Sequence, residues 1–311
     1  MFLSGTCVVL FSYDDLPSLK RIVPKVLSSE VERVVVVCEG SSSLREYLTG
    51  LQDPRLHISY QAKRVGKARA YNRSLALLGG SSIVFLLSTD IDFDPSIFQE
   101  VLSRFDRPKT GVVVPKVLPL RSQGLSGHMG ALLWAVHDTT LARLSSSGSR
   151  VHGGEFMAMR RELLVPLPED VVNDDAYLCL YAESLGFALV DARECTVRNS
   201  LPHTLYGLFV QRRRVAFGHL QLVRQGKGPE ILTLMVFGRT RALGRAGALL
   251  LDTAERYPFE MLWLPFLVLE EVVANLLARR DIRRSGDHSV WRTVSSVEPD
   301  SHTSTSRTKN P

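Results

Sequence analysis

The chain has 311 residues, of which 45% are hydrophobic and 23% are charged, so it is long enough for one large domain or two modest ones. This balance excludes a protein that is disordered over most of its length. The four cysteines lie far apart and form no C-x-x-C pair. That spacing excludes a zinc knuckle and a disulfide framework, and it fits a reducing compartment.

The net charge of +6 comes entirely from the last third of the chain. Residues 1–200 hold 22 Lys and Arg against 22 Asp and Glu, whereas residues 201–311 hold 16 against 10. No helix in that part combines dense basic residues with interleaved aromatic ones, so we expect no nucleic-acid partner. The first ten residues lack the basic stretch of a signal peptide, so we expect a cytoplasmic protein.

A unit of strand, polar turn and helix repeats along the first part of the chain. Apolar runs predict strands over residues 6–11, 34–38, 56–60 and 83–87, and helical segments follow them. The run 83–87 is apolar throughout, as expected for a strand that is buried on both faces. The pattern therefore predicts an α/β fold with a doubly wound sheet and helices on both faces.

Polar side chains stand at the ends of three of these predicted strands, namely Tyr13, Glu39 and Asp90. Because the carboxyl ends of parallel strands meet at one edge of a sheet, these side chains should line a nucleotide crevice. The first turn contains no G-x-G-x-x-G sequence, which argues against a dinucleotide cofactor.

An acidic cluster follows the strand 83–87. Asp90, Asp92 and Asp94 fall within five residues. Clustered carboxylates are the hard oxygen ligands that Mg²⁺ and Mn²⁺ prefer, and such an ion would hold a diphosphate. The alternative is a solvated Asp-Pro turn that caps the helix starting near Pro95.

Several segments, in this order, resemble the family 2 glycosyltransferases with the GT-A fold. Residues 12–15 (Ser-Tyr-Asp-Asp) stand where such enzymes have a Thr-Tyr-Asn-Glu-like turn, and residues 39–42 (Glu-Gly-Ser-Ser) are similar to their Asp-Gly-Ser segment. Residues 66–72 resemble their Gly-Lys-x-x-Ala-x-Asn helix. The resemblance covers about residues 6–219 and implies a Rossmann-like, mixed GT-A sheet. It also implies that Glu39 contacts base and ribose, and that Tyr13, Lys67 and Asn72 bind substrate.

The D-x-D motif of that family has one departure here. Counted back from Asp94 and Pro95, the motif falls on residues 88–90, Ser-Thr-Asp, so its first aspartate is a serine. The resemblance then makes Asp90 the metal ligand. The alternative register, residues 90–92, adds Asp92.

Three later segments extend the resemblance. Gly153 and Gly154 precede a segment similar to the family's Gly-x-Phe-x-Ala-x-Arg-Arg strand, where glycines let the backbone approach a sugar or simply form a bulge. Asp174 and Asp175 open a predicted helix and resemble the family's Glu-Asp motif, whose second acid is the base of inverting members. Taken without this context, such a pair also serves as helix-capping charge.

Residues 211–215 (Gln-Arg-Arg-Arg-Val) resemble the family's Gln-x-x-Arg-Trp motif, with Val215 in place of the tryptophan. This implies that Gln211 and Arg214 face the diphosphate, since a guanidinium suits that group. The missing tryptophan weakens a processive reading. A solvated basic helix face is the alternative for the three arginines.

The resemblance as a whole implies a metal-dependent, inverting glycosyltransferase. It would use Mg²⁺ or Mn²⁺ and a UDP- or GDP-sugar, and its acceptor would be a glycan or a lipid-linked hydroxyl. A sugar-phosphate nucleotidyltransferase is one alternative, but residues 11–15 lack its Gly-rich basic loop. A non-catalytic, membrane-associated nucleotide-sugar binder is the other, because Ser88 and Val215 depart from the motifs.

We expect a catalytic domain over residues 1–223, with a nucleotide-binding half to about 115 and an acceptor half from about 116. A helical extension over 224–284 and a disordered tail over 285–311 should follow. The apolar run 258–280 is interrupted by Glu260, Glu270 and Glu271. A spanning helix needs about 20 predominantly apolar residues, so we expect an interfacial helix, with spanning and core packing as alternatives.

In this interpretation the helix would lie on the cytoplasmic face of a membrane, with Trp263 near the lipid headgroups. Four arginines follow the apolar run and would lie beside those headgroups: Arg279, Arg280, Arg283 and Arg284.

Overall fold

The computed structural model describes residues 3–120, 124–146, 154–226, 240–284 and 286–290, and these residues form a mixed sheet with helices on both faces. The strands are β1 (Leu3–Tyr13), β2 (Val31–Glu39), β3 (Leu56–Gln61), β4 (Ile83–Ser88), β5 (Ile91–Asp92), β6 (Thr110–Pro119), β7 (Phe156–Arg160) and β8 (Ala188–Asn199). Their order across the sheet is β3-β2-β1-β4-β7-β6-β8-β5.

The strand directions divide the sheet into two parts. β3, β2, β1 and β4 are parallel, so their carboxyl ends share one edge. β7 runs antiparallel between β4 and β6, whereas β6 and β8 are parallel to each other. The mixed, doubly wound α/β fold predicted from the sequence is confirmed. The sequence did not predict β5 and β8, because charged residues interrupt β8 and β5 is only two residues long.

The helices are α1 (Leu16–Leu27), α2 (Ser42–Gly50), α3 (Lys67–Ser74), α4 (Ile97–Leu102), α5 (Gly124–Ser146), α6 (Asp174–Ser184), α7 (Leu205–Arg224), α8 (Thr240–Arg256) and α9 (Leu264–Arg283). A short 3-10 turn, Glu260–Trp263, leads into α9. The helices predicted from residues 66, 95, 127 and 174 thus form near their predicted positions.

Side chains of the central strands alternate between two buried clusters, as the pleat of a sheet requires. On one face Val8, Leu10 and Phe85 pack under α1, α2 and α4. On the other face Val9 and Val84 pack under α3 and α6. The strands are therefore apolar on both faces, and polar groups appear only where they end.

The four cysteines are buried and carry free thiols. Burial raises the pKa of Cys7 to about 12 and the pKa values of Cys38 and Cys195 to about 11. Cys179 lies 3.6 Å from the sulfur of Met157 inside the core. These thiols pack as small apolar groups and are poor nucleophiles at neutral pH.

The C-terminal helices α8 and α9 pack against α5 and α7. Leu132 and Val136 of α5 form an apolar cluster with Leu249 and Leu267. Two ion pairs tie α7 to α9, because Arg212 pairs with Glu271 and Arg213 pairs with Asp281. The predicted helical extension is thus helical over the described residues 240–284. The domain boundary near 223 remains a prediction.

Residues 286–290 were predicted to belong to a disordered tail, but they pack back onto the fold. His288 lies 3.0 Å from Asp281 and its ring is 4.5 Å from that of Phe217. The carbonyl oxygen of Ser289 would lie 2.7 Å from a Cβ at position 66, where the chain has Gly66 with φ of +103°. A side chain at position 66 would therefore collide with this segment. The rest of the predicted tail, residue 285 and residues 291–311, lies outside the described residues.

An apolar stripe runs along the outer side of α9 and the turn before it. Its members recur at alternating intervals of three and four residues, and their exposed fractions run from 39% for Val273 to 79% for Phe259. We call these residues the outer stripe: Phe259, Leu262, Phe266, Leu269, Val273 and Leu276. Within the described residues, Glu260–Arg283 is long and apolar enough to cross a membrane, although only 22% of its most apolar stretch is buried.

Trp263, which the sequence placed near lipid headgroups, does not belong to the outer stripe. Its ring stacks on His128 at 4.6 Å and it packs with the cluster between α5 and α9. A tryptophan at this position faces the protein because it lies one residue beyond Leu262, about 100° further around the helix.

Candidate active site

A cavity of about 540 Å³ opens at the carboxyl ends of β1, β2 and β4. Its walls continue along the starts of α3 and α6, along α7, and along the inner sides of α5 and α9. The cavity brings together nine of the twelve site residues predicted from the sequence. These are Tyr13, Glu39, Lys67, Asp90, Gly154, Asp174, Asp175, Gln211 and Arg214.

At the end of β2, Glu39 is only 4% exposed and both of its carboxylate oxygens have protein partners. Arg73 donates to Oε1 at 2.9 Å, and the backbone N–H of Val65 donates to Oε2 at 3.0 Å. Glu39 thereby fixes the loop that leads into α3. Arg64 of this loop stacks on the ring of Tyr13, with 3.8 Å between guanidinium carbon and ring centroid.

At the end of β4, Asp90 stands beside two polar residues that also line the cavity, Ser88 and Thr89. Its Oδ1 atom is buried and has no hydrogen-bond partner within the described part of the chain. Burial raises the pKa of this carboxyl group. A buried carboxylate oxygen without a protein donor is costly alone and suits a cation.

Glu155, at the start of β7, adds a second acidic group to this wall. Burial and then the Asp90 carboxylate raise the pKa of Glu155 to about 7. Among the described residues, no group of three or more His, Cys, Asp or Glu side chains is arranged to hold a metal ion without other ligands. Asp90 is therefore a single protein ligand candidate, and further ligands would have to come from a substrate.

The start of α6 carries the adjacent carboxylates Asp174 and Asp175. Lys67 of α3 lies 3.1 Å from Oδ2 of Asp174, whose side chain is 9% exposed. Burial, and secondly the Asp174 carboxylate, raise the pKa of Asp175 to about 6. Burial lowers the pKa of Lys67, but Asp174 and Asp175 outweigh burial and raise it. Lys67 hence stays protonated and orients Asp174.

Asn173 sets the position of this acidic pair, because it joins the start of α6 to α7. Its Nδ2 atom donates to the carbonyl oxygen of Val215 at 3.1 Å. A Cβ on Gly218 would lie 2.5 Å from the Asn173 amide. The glycine of α7 therefore makes room for the asparagine, and the two helices are held at this distance.

The three consecutive arginines of α7 point to three different places. Arg212 and Arg213 bind α9 through Glu271 and Asp281, whereas Arg214 lines the cavity. Burial lowers the pKa of Arg214, and Asp174 and Asp175 only partly oppose this. Its guanidinium remains charged because its ordinary pKa is far above neutrality. The predicted role of Arg214 at the site agrees with its place, and Gln211 lies one helical turn before it.

Two predicted site residues lie elsewhere. The Asn72 side chain does not line the cavity, because its amide group donates to and accepts from the backbone of Leu167, both at 2.8 Å. Asp92 is paired with Lys25 of α1, away from the cavity, since β5 bends to pair with β8. The register that includes Asp92 therefore has no support in the structure. Gly153 lies outside the described residues.

Three residues of the site were not singled out from the sequence: Arg64, Glu155 and Asn173. Glu155 directly follows the predicted glycine pair, and Asn173 directly precedes the predicted acidic pair. Their neighbours in sequence were therefore a usable signal. Arg64 gave no such signal, because a basic residue in a polar loop is most often a solvated charge.

The assembled groups combine a carboxylate with a raised pKa, two cations and an acidic wall. Such a site can remove a proton from a hydroxyl group and stabilise negative charge on a phosphate. A sequence profile described as glycosyltransferase like family 2 matches residues 4–218. The chain belongs to this family.

Solved structures support the same fold for this family 2 glycosyltransferase. The mannosyltransferase PcManGT from Pyrobaculum calidifontis, solved with GDP-Man and Mn²⁺, superimposes with a TM-score of 0.55 at 18% identity, over 90% of this chain and 79% of that one. Glucosyl-3-phosphoglycerate synthase from Mycobacterium tuberculosis, solved with Mn²⁺, UDP and phosphoglyceric acid, gives a TM-score of 0.50 at 20% identity, over 73% of this chain and 80% of that one. No curated protein matches the sequence significantly.

Proposed function

We propose that this glycosyltransferase moves a sugar from a UDP- or GDP-sugar to an acceptor hydroxyl with inversion of the anomeric carbon, and that it uses Mg²⁺ or Mn²⁺. The observation that carries the proposal is that one cavity is lined by Asp90, Asp175 and Arg214 together. A non-catalytic binder would not need to keep a metal ligand, a base and a diphosphate cation together, so the departures at Ser88 and Val215 do not favour one.

The donor would bind at the carboxyl ends of β1, β2 and β4. Tyr13 and Glu39 lie where the nucleoside would bind, and Arg214 and Lys67 supply positive charge for the diphosphate. Asp90 would hold the divalent cation, because its buried Oδ1 atom lacks another partner in the described chain. When bound, such a cation neutralises part of the diphosphate charge and so favours departure of the nucleoside diphosphate.

The chemical step is a single displacement. The acceptor oxygen forms a bond to the anomeric carbon while the bond from that carbon to the phosphate oxygen breaks, and the nucleoside diphosphate leaves with the electron pair. Asp175 takes the proton of the acceptor hydroxyl. Asp174 is held by Lys67 at 3.1 Å, which makes Asp175 the better base of the two.

We also propose that the protein rests on the surface of an anionic membrane, expected to be the cytoplasmic leaflet. The outer stripe is exposed, and the next residues on α9 are the exposed arginines Arg280 and Arg283. Apolar side chains followed by arginines suit an interfacial helix, in which the stripe enters the lipid and the arginines contact anionic headgroups.

The test of the base is Asp175→Asn, which keeps size but cannot accept the proton. We expect turnover to fall by about 10²–10⁴ while nucleotide binding is retained. Asp170→Asn, at an exposed loop residue, is the matched control and should keep full activity. For the wild type, kcat/KM should fall as pH drops through about 6, because the base becomes protonated.

Two results would contradict the assignment. One is full turnover in Asp175→Asn, and the other is a product that retains the anomeric configuration of the donor, read by NMR spectroscopy.

A further inference from the structure

The cavity changes character away from the strand ends. There its walls come from α5, α8 and α9, and the side chains that line it are mostly apolar. We call this part the apolar arm and define it by six residues: Leu133, Trp134, Leu250, Leu264, Val268 and Val272. Five of them are half-buried and Val268 is exposed, so the fold leaves apolar surface open inside a cavity.

The polar groups that border the arm carry no net charge. Arg212 and Glu271 line the cavity and neutralise each other as an ion pair with side chains 13% and 15% exposed. Burial, and then the Arg212 charge, lower the pKa of His137 to about 4, so its ring is neutral near pH 7. A sugar or peptide hydroxyl placed here would lose water without gaining polar partners, whereas a hydrocarbon chain would cover apolar surface.

The arm has an outlet beside the outer stripe. Val268 lines the cavity and is 48% exposed, and its neighbour Leu269 belongs to the stripe and is 65% exposed. The helix α9 therefore separates an apolar interior from an apolar exterior. A chain that enters the cavity past Val268 would come directly from whatever covers the stripe.

We propose that the apolar arm binds the hydrocarbon chain of the acceptor, which is therefore an amphipathic, lipid-linked molecule. This rests on the proposed function, because it places the acceptor hydroxyl at Asp175 and the chain toward Val268. Two walls of the arm, α8 and α9, lie beyond residue 218, where the family match ends. The arm is thus a feature of the part of this chain that the family profile does not describe.

Alkyl glucosides provide a probe, since they join a hydroxyl-bearing head to a chain of chosen length. Calorimetric titration below the critical micelle concentration compares methyl, butyl, hexyl and octyl β-glucosides, with and without Mn²⁺ and UDP or GDP. We expect affinity to rise by about fourfold per buried methylene group until the arm is full. Equal affinity for methyl and octyl glucoside would overturn the proposal. It would also be the outcome if a peptide segment of this chain fills the arm.

Adjacent residues of α9 supply matched variants. Val272→Phe fills the arm and should lower octyl glucoside affinity by about tenfold, near the worth of one to two methylene groups, while methyl glucoside and nucleotide affinity stay unchanged. Val273→Phe, on the outer stripe, should leave all three unchanged. If Val272→Phe fails to fold, Val268→Asp at the outlet replaces it, with Leu269→Asp as control. Equal effects of the two members of a pair would refute the arm.

Failure of the two proposals can be told apart. Absence of any nucleotide binding or sugar transfer in the wild type would refute the proposed function. The dependence on chain length, measured without nucleotide, decides on the arm independently of that result.

Discussion

The strand-end part of the cavity and the apolar arm share one space but are built by different means. At the strand ends the charged groups have partners in the protein, as Glu39 has in Arg73 and Asp174 has in Lys67. The arm is made of apolar side chains from three helices. The difference teaches that the chemistry of this fold is placed by backbone ends, whereas the shape of its acceptor side is placed by helix packing.

The largest expected effect lies at the strand ends, where Asp90→Asn removes a charged oxygen ligand. We expect loss of Mn²⁺-dependent nucleotide binding, measured by thermal shift with UDP and GDP, and loss of transfer. Binding of octyl glucoside in the arm should remain, which would separate the two regions.

Asp92→Asn is the matched control for that experiment, two residues further along the chain. Since Asp92 pairs with Lys25 outside the cavity, we expect activity to persist. Activity that survives Asp90→Asn and disappears in Asp92→Asn would show that the assigned metal register is wrong.

Much of the strand-end part could be predicted from the sequence. Strands buried on both faces appear as continuous apolar runs, and the polar residue that ends each run must lie at the sheet edge. Tyr13, Glu39 and Asp90 were placed in this way. Asp174, Asp175 and Arg214 are distant in sequence and were assigned through the family resemblance, which the cavity supports by bringing them together.

The errors have physical reasons. Asn72 lies on the predicted helix, but its binding of Leu167, which is 95 residues away, depends on tertiary packing that no local pattern reveals. Asp92 leaves the site because the chain turns into β5 after Asp90. Trp263 and the outer stripe differ only in helical phase, which was uncertain because the turn before α9 is a 3-10 turn.

In the helical wall the next largest effect concerns stability. Both carboxylate oxygens of Glu270 are buried without a hydrogen-bond partner in the described residues, and burial, then Glu271, raise its pKa to about 7. A raised pKa means that Glu270 favours the fold below about pH 4.5, and that this contribution is lost as pH rises through about 7. Glu270→Gln should then stabilise the protein by about 1–3 kcal/mol at pH 8.

The adjacent residue offers a control of opposite sign, since Glu271→Gln removes the ion pair with Arg212 and should lower stability at pH 8. Urea unfolding at pH 5 and pH 8 measures both. A Glu270→Gln variant that gains nothing between these two pH values would show that Glu270 finds a partner in the folded protein.

The smallest effect should come from the outer stripe. We expect the wild type to co-sediment with anionic liposomes, moderate salt to weaken this, and Leu269→Ser with Leu276→Ser to weaken it several-fold, by loss of buried apolar area. Leu185→Ser, on the distant end of α6 and 51% exposed in the wild type, should have no effect. Retention that resists salt and requires detergent would indicate a spanning helix, and absence of binding would exclude membrane contact.

The burial of all four native thiols has a practical consequence. Because they are shielded in the core, a cysteine introduced at Leu276 or at Val272 would be the fast-reacting thiol of an otherwise native chain. A polarity-sensitive dye at Leu276 would report contact with lipid, and the same dye at Val272 would report filling of the arm. The two sides of one helix would then be observed separately in the intact protein.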